Sequence, residues 1–157
     1  MRMSLICSAL KTAIDGSAFF AAQTTPAIKP QVQCIIDDGT QHAAIEAQLR
    51  GNGCVVVIPP ILASTNQDTA QHSRTLQSEV ECVVRILCNP TQNADTTSGA
   101  QRNIYEAIEA ATGAVLDILP TQGNKRFQAA PNFLQLISVD EGLLGYDITF
   151  SKLSTVN

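Results

Sequence analysis

Few side chains in this sequence could do chemistry, and their spacing does not build a familiar site. Only two histidines occur, His42 and His72, thirty residues apart. Asp68 and His72 stand at i and i+4 and could share one helical turn. A zinc site asks for three or four ligands, and neither a cysteine nor another histidine lies close to them. Asp37-Asp38 offers two carboxylates, but neighbours on a strand point to opposite faces, so Asp-Asp-Gly reads better as a turn. The sequence holds no G-x-S-x-G, no P-loop, no H-E-x-x-H and no G-x-G-x-x-G. Gly51-Asn52-Gly53 is the nearest glycine-rich element. It precedes a strand-like run rather than a helix, which makes it a helix stop and not a phosphate cradle. No catalytic residue, cofactor-binding residue or metal ligand is assigned on this basis, and no cofactor is expected. A small cytoplasmic enzyme or ligand-binding domain would need converging polar groups, for which His42, Asp37 and Asp38 are the candidates.

The cysteines point the same way. Cys7, Cys34, Cys54, Cys82 and Cys88 are an odd set without a C-x-x-C pair. On one extended strand, Cys82 and Cys88 would lie roughly 20 Å apart, too far to bridge. Buried thiols acting as small hydrophobes in a reducing cytoplasm are the expected state.

Composition bounds the partners. Charged residues make up only 15% of the chain against 45% hydrophobic, which excludes charge-driven disorder. A surface poor in charge has two readings: contact with other subunits, or Gln, Asn, Ser and Thr in place of charge on a solvated surface. A net charge of -4 disfavours general nucleic-acid binding, and 4% aromatics with no Trp leaves no stacking platform for single strands. Lys11 and Asp15 interrupt the apolar start before a hydrophobic region forms, so no signal peptide is expected. The longest apolar run, Cys54 to Ile58, is far too short to span a bilayer.

The elements that would position any site follow from periodicity. Met3 to Phe20 reads as a helix, with Leu5, Ile6, Ala9, Leu10, Ala13 and Ile14 on one stripe and Gly16 as its end or break. Gln31 to Asp37 suggests a short strand, His42 to Leu49 a second helix, and Cys54 to Ile58 a strand closed by Pro59-Pro60. Ala63 to Ser78 is polar, either a long loop or a hairpin whose strands reach past the core. Val80 to Cys88 is the clearest strand, its even positions apolar, with Val83 and Leu87 making the second face partly apolar. A capping box, Ser98-x-x-Gln101, opens a helix carrying Ile104, Ala107, Ile108, Ala111 and Val115 on one face, with Gly113 as a weak point. Phe127 to Val139, interrupted near Pro131, and Leu143 to Leu153 form an antiparallel hairpin around Asp140-Glu141-Gly142. The expected fold is a single α+β domain over residues 1–157. It is a mixed, mainly antiparallel sheet of four to five strands packed against two to three helices.

This order of elements resembles the tail terminator proteins of tailed bacteriophages and the related tail-completion and neck proteins. The residues that carry the resemblance are Glu79 to Asn89, then Gly99 to Thr112, then Phe133 to Val139 with Gly145 to Phe150. It is a pattern of elements and not a signature motif. The resemblance implies a non-enzymatic virion subunit, made in the host cytoplasm. It would form a ring with itself, commonly a hexamer, that caps the tail tube protein and meets the head-tail connector or neck protein. A head-completion or sheath-associated role, with the sheath protein as a partner, is the alternative in the same setting. Neither nucleic-acid specificity nor a membrane is implied. Arg74 in the polar segment, Lys125 and Arg126 in a basic loop, and Glu79, Glu81 and Arg85 on the central strand are the candidate residues of the subunit or partner interface.

Overall fold

In the computed structural model the described residues are 3–22, 31–34, 43, 45, 54–58, 62–65, 76–89, 103–119, 126–140 and 143–156. The first helix, α1 (Met3–Asp15), buries Ile6, Leu10 and Ile14, one residue per turn, so its inward stripe is narrow. Leu5, expected on that stripe, lies on its flank and is 54% exposed. Gly16 ends the helix as expected: its amide still reaches the Thr12 carbonyl (3.0 Å), after which Ser17 starts α2 (Ala18–Ala22). Phe19 and Phe20 meet edge to face at 5.1 Å, with Phe20 fully buried.

Among the described residues six strands form one sheet: β1 (Gln31–Cys34), β2 (Cys54–Ile58), β3 (Leu62–Thr65), β4 (Leu76–Cys88), β5 (Gln128–Asp140) and β6 (Leu143–Val156). The order is β1-β2-β4-β6-β5. β4 pairs with β6 along its whole length, from Leu76 opposite Val156 to Cys88 opposite Leu144. The other edge of β4 is shared between β3, opposite Ser78 to Glu81, and β2, opposite Arg85 to Cys88. Every pairing is antiparallel except β1 with β2. Helix α3 (Asn103–Leu116) packs with the sheet in an α+β fold.

One face of the sheet carries the main core. Val80, Val84 and Ile86 of β4, Ile148 and Phe150 of β6, and Val56 and Ile58 of β2 pack under Leu10, Phe20, Ile104, Ala111 and Val115. On the opposite face Val57 is buried with Ile45, and Leu87 packs against them. The part-apolar second face of β4 is therefore covered at its C-terminal end, as Val83 and Leu87 suggested.

Several boundaries differ from those expected. β4 begins at Leu76, and β3 occupies Leu62–Thr65, so the ends of the polar Ala63 to Ser78 segment are strands, as in the hairpin reading. β3 gains its place in the sheet from backbone pairing with β4, and the start of β4 from pairing with the end of β6. Residues 66–75 lie outside the described residues, as do the Ser98-x-x-Gln101 cap and most of the expected 42–49 helix, of which Ala43 and Ile45 are helical. Gly113 does not end α3, because Ala111 and Val115 on either side of it are buried while Gly113 itself faces solvent. Pro131 sits inside β5. A proline lacks an amide donor and is accommodated on edge strands and at bulges. β5 is the last strand of the sheet, and its register with β6 shifts between Ala129 and Leu134.

Candidate assembly surface

The charged residues expected at an interface do not form one cluster. Arg74 and Lys125 lie outside the described residues. Glu79 and Glu81 are exposed, both on the face of β4 opposite the helices, since Val80 and Cys82 between and beside them are buried. Arg85 follows on that same face and is occupied within the chain: its Nε donates to Asp147 Oδ1 (2.8 Å) and its Nη2 to Oδ2 (2.9 Å). The two residues are direct cross-strand partners in β4 and β6, and this two-pronged bond holds the guanidinium pKa above its ordinary value. Arg126 is exposed immediately before β5, beside the buried Phe127.

The residues proposed for a ligand site, His42, Asp37 and Asp38, and the Asp68-His72 pair lie outside the described residues. Among the described residues no group of three or more His, Cys, Asp or Glu side chains could hold a metal ion. Cys7, Cys82 and Cys88 stand as thiols. Burial, with Cys7 nearby, pushes the Cys82 thiol up to about 12, so it is not a nucleophile near neutral pH. Lys152 is buried on the helix-covered face of β6, its Nζ 4.6 Å from the centre of the Phe127 ring, and that burial lowers its pKa.

The feature that stands out is apolar. β5 is a long edge strand, and Phe133, Leu134, Leu136 and Ile137 on it are all between 36% and 49% exposed. Among the described residues no strand pairs with its outer edge. Soluble proteins blunt such an edge with charge, proline or bulges; Pro131 and a register shift do so at the start of β5, but Phe127 to Val139 contains no charged residue. Leu134 and Leu136 are register partners of Ile148 and Tyr146, so they belong to the helix-covered face but extend past the cover. Between them and α3 runs a groove of about 400 Å³ lined by Tyr105, Ile108, Glu109, Thr112, Phe133 and Leu134. The Thr112 hydroxyl donates to the Ile108 carbonyl (2.7 Å) and so offers the groove no spare donor proton. Tyr105, 57% exposed, stands over Tyr146 with ring centres 6.1 Å apart and hydroxyls at 3.5 Å. That contact raises the Tyr146 pKa.

Ile137 turns to the other face at a second register shift, where it packs over Gly145. A Cβ on Gly145 would lie 2.9 Å from Leu87 Cδ2 and 3.0 Å from Ile137 Cγ1, so the glycine lets the edge strand close onto the outer face. Sequence reasoning missed this surface. The available signal was the uncharged Phe127 to Val139 run, whose consecutive pairs Phe133-Leu134 and Leu136-Ile137 break strict alternation and place apolar side chains on both faces.

A chain of the virion of a native gene transfer agent (GTA) particle shares this fold. The two agree with a TM-score of 0.61 at 13% sequence identity, over 96% of this chain and 95% of that one. At that identity the likeness is one of fold. No family model matches the sequence, and no curated protein matches it.

Proposed function

We propose that the chain is a structural subunit of a phage-like particle. Within it the chain acts as a tail terminator or closely related neck protein that closes into a ring on the end of the tail tube and presents a surface to the head connector. The observation that carries this reading is the end-to-end correspondence with a virion chain, which leaves almost nothing of either chain over. Two features of the surface agree with it. Four large exposed apolar groups, Phe133, Leu134, Leu136 and Ile137, lie along one edge, where they suit a lasting contact between subunits better than a reacting centre. A ring also needs two different patches per subunit, and an open sheet has two different edges. The molecule works, on this reading, through its outline and requires no catalytic group or cofactor.

The test is tube assembly. Tail tube protein from the same particle, polymerised with and without this chain, should give tubes whose growth stops and whose ends carry a ring of it. Tubes of unchanged length with bare ends, at a large excess of the chain, would overturn the proposal.

A further inference from the structure

We infer that the outer edge of β5 in one copy pairs with the β1 edge of a second copy, while the groove between α3 and β5 receives the second copy's α1. This rests on the ring reading and names the contact that would build the ring.

Four observations select a second copy as the occupant. The first is strand direction. β5 runs with β4, because both are antiparallel to β6, whereas β1 runs against β4, because it is parallel to β2. The two ends of the sheet therefore run in opposite directions, and copies placed side by side in the same orientation meet as an antiparallel pair.

The second is level. Following the register across the sheet, Leu136 lies in one row with Tyr146, Ile86, Val56 and Val32. The apolar part of β5 thus stands at the height of the four-residue β1 strand.

The third is charge. Gln128 to Val139 and Gln31 to Cys34 contain no charged residue. The exposed Arg126 precedes β5, two residues before Gln128, in the row of Glu79 and next to that of Glu81. By strand alternation Arg126 lies opposite the buried Phe127, on the face that carries those two carboxylates. With rows continuing from copy to copy, Arg126 stands in the lane beyond β1, level with the neighbour's β3 and on the face that carries its Glu79 and Glu81. Within its own chain Arg126 has no ion-pair partner among the described residues.

The fourth is shape. α1 packs over β1 and β2 on the same face as the groove. Cys7, on one flank of its buried stripe, packs against the core cluster over β2, β4 and β6, which puts Leu5 on the opposite flank, away from that cluster. Leu5 is 54% exposed and is the natural filler for the neighbour's groove.

The experiment uses the full chain and two variants. Leu136→Lys charges the β5 edge, and Leu5→Glu charges the α1 flank. Circular dichroism and thermal melts of each check that the monomer still folds. Light scattering should show wild-type oligomers, and each variant alone should dissociate with a dissociation constant raised at least about tenfold. Mixing the two variants should restore dimers but nothing larger, because one intact β5 edge and one intact α1 side remain in the mixture. Amide exchange should show slowed exchange at Phe133 to Ile137 on assembly of the wild type. Oligomers that survive Leu136→Lys would overturn this contact while leaving the ring reading in place. Leu5→Glu alone forming stable dimers would replace it with β5 pairing to itself. Protection of β5 only on adding tail tube protein would assign the edge to that partner instead. A wild type that stays monomeric both alone and on tubes would remove the ring reading and this contact together.

Discussion

Arg85 gives the sharpest test of how charge is used on this sheet. It was a candidate interface residue, yet its guanidinium is bonded through two nitrogens to Asp147, its cross-strand partner. The Arg85 side chain is 39% exposed and that of Asp147 14%, so solvent screens the pair only in part. Exposed ion pairs contribute about 0.2–1 kcal/mol, and a two-pronged arginine–carboxylate geometry belongs at the upper end of that range. A double-mutant cycle of Arg85→Met and Asp147→Asn should therefore give a coupling energy near 1 kcal/mol. The single variants should lower the melting temperature by about 2–4 °C, as expected for a domain of this size. Urea denaturation at low salt and again at 1 M NaCl measures the coupling, which should shrink at high salt. The mass in solution should not change. Coupling indistinguishable from zero, together with oligomers lost in Arg85→Met, would refute the reasoning and return Arg85 to the interface.

Other consequences concern the core and the glycines. Cys82 has a folded pKa of about 12 against 9.0 for an ordinary thiol. A raised pKa contributes stability that is complete below pH 9 and is lost as pH climbs towards 12. Between pH 9 and 11, wild-type urea midpoints should therefore fall more steeply than those of Cys82→Val; parallel slopes would contradict the burial argument. Gly145→Val should cost about 1–3 kcal/mol by driving Leu87 and Ile137 apart, and Leu87→Ala should recover part of that loss in the double variant. Gly113 is exposed with nothing within 4 Å of an added Cβ, so Gly113→Ala should stabilise α3 by about 0.5–1 kcal/mol in thermal melts.

The contrast between legible and illegible parts of the sequence has physical causes. The alternation of Val80 to Cys88 announced a strand with one buried face because helices cover that face and water meets most of the other. The i, i+3, i+4 pattern of Ile104 to Val115 announced α3 for the same reason. β3 and the start of β4 carry Ser, Thr and Gln and are held by backbone pairing, so local composition could not reveal them. Pro131 looked like an interruption because nothing local says that β5 lies at the end of the sheet, where a missing amide is tolerated. The bond from Arg85 to Asp147 spans 62 residues and becomes visible only once the β4–β6 register is known. The candidate surface was least legible of all. Charged residues can be picked from a sequence, but an exposed apolar edge is a property of strand order.

The proposed self-contact makes the mass of this chain in solution the most direct measurement. Light scattering on the purified protein should give a closed species near six times 16.7 kDa, the ring order implied by the tail terminator resemblance, with ring-shaped particles in micrographs of the same sample. A mass of 16.7 kDa that persists at high concentration and on tail tubes would contradict the account.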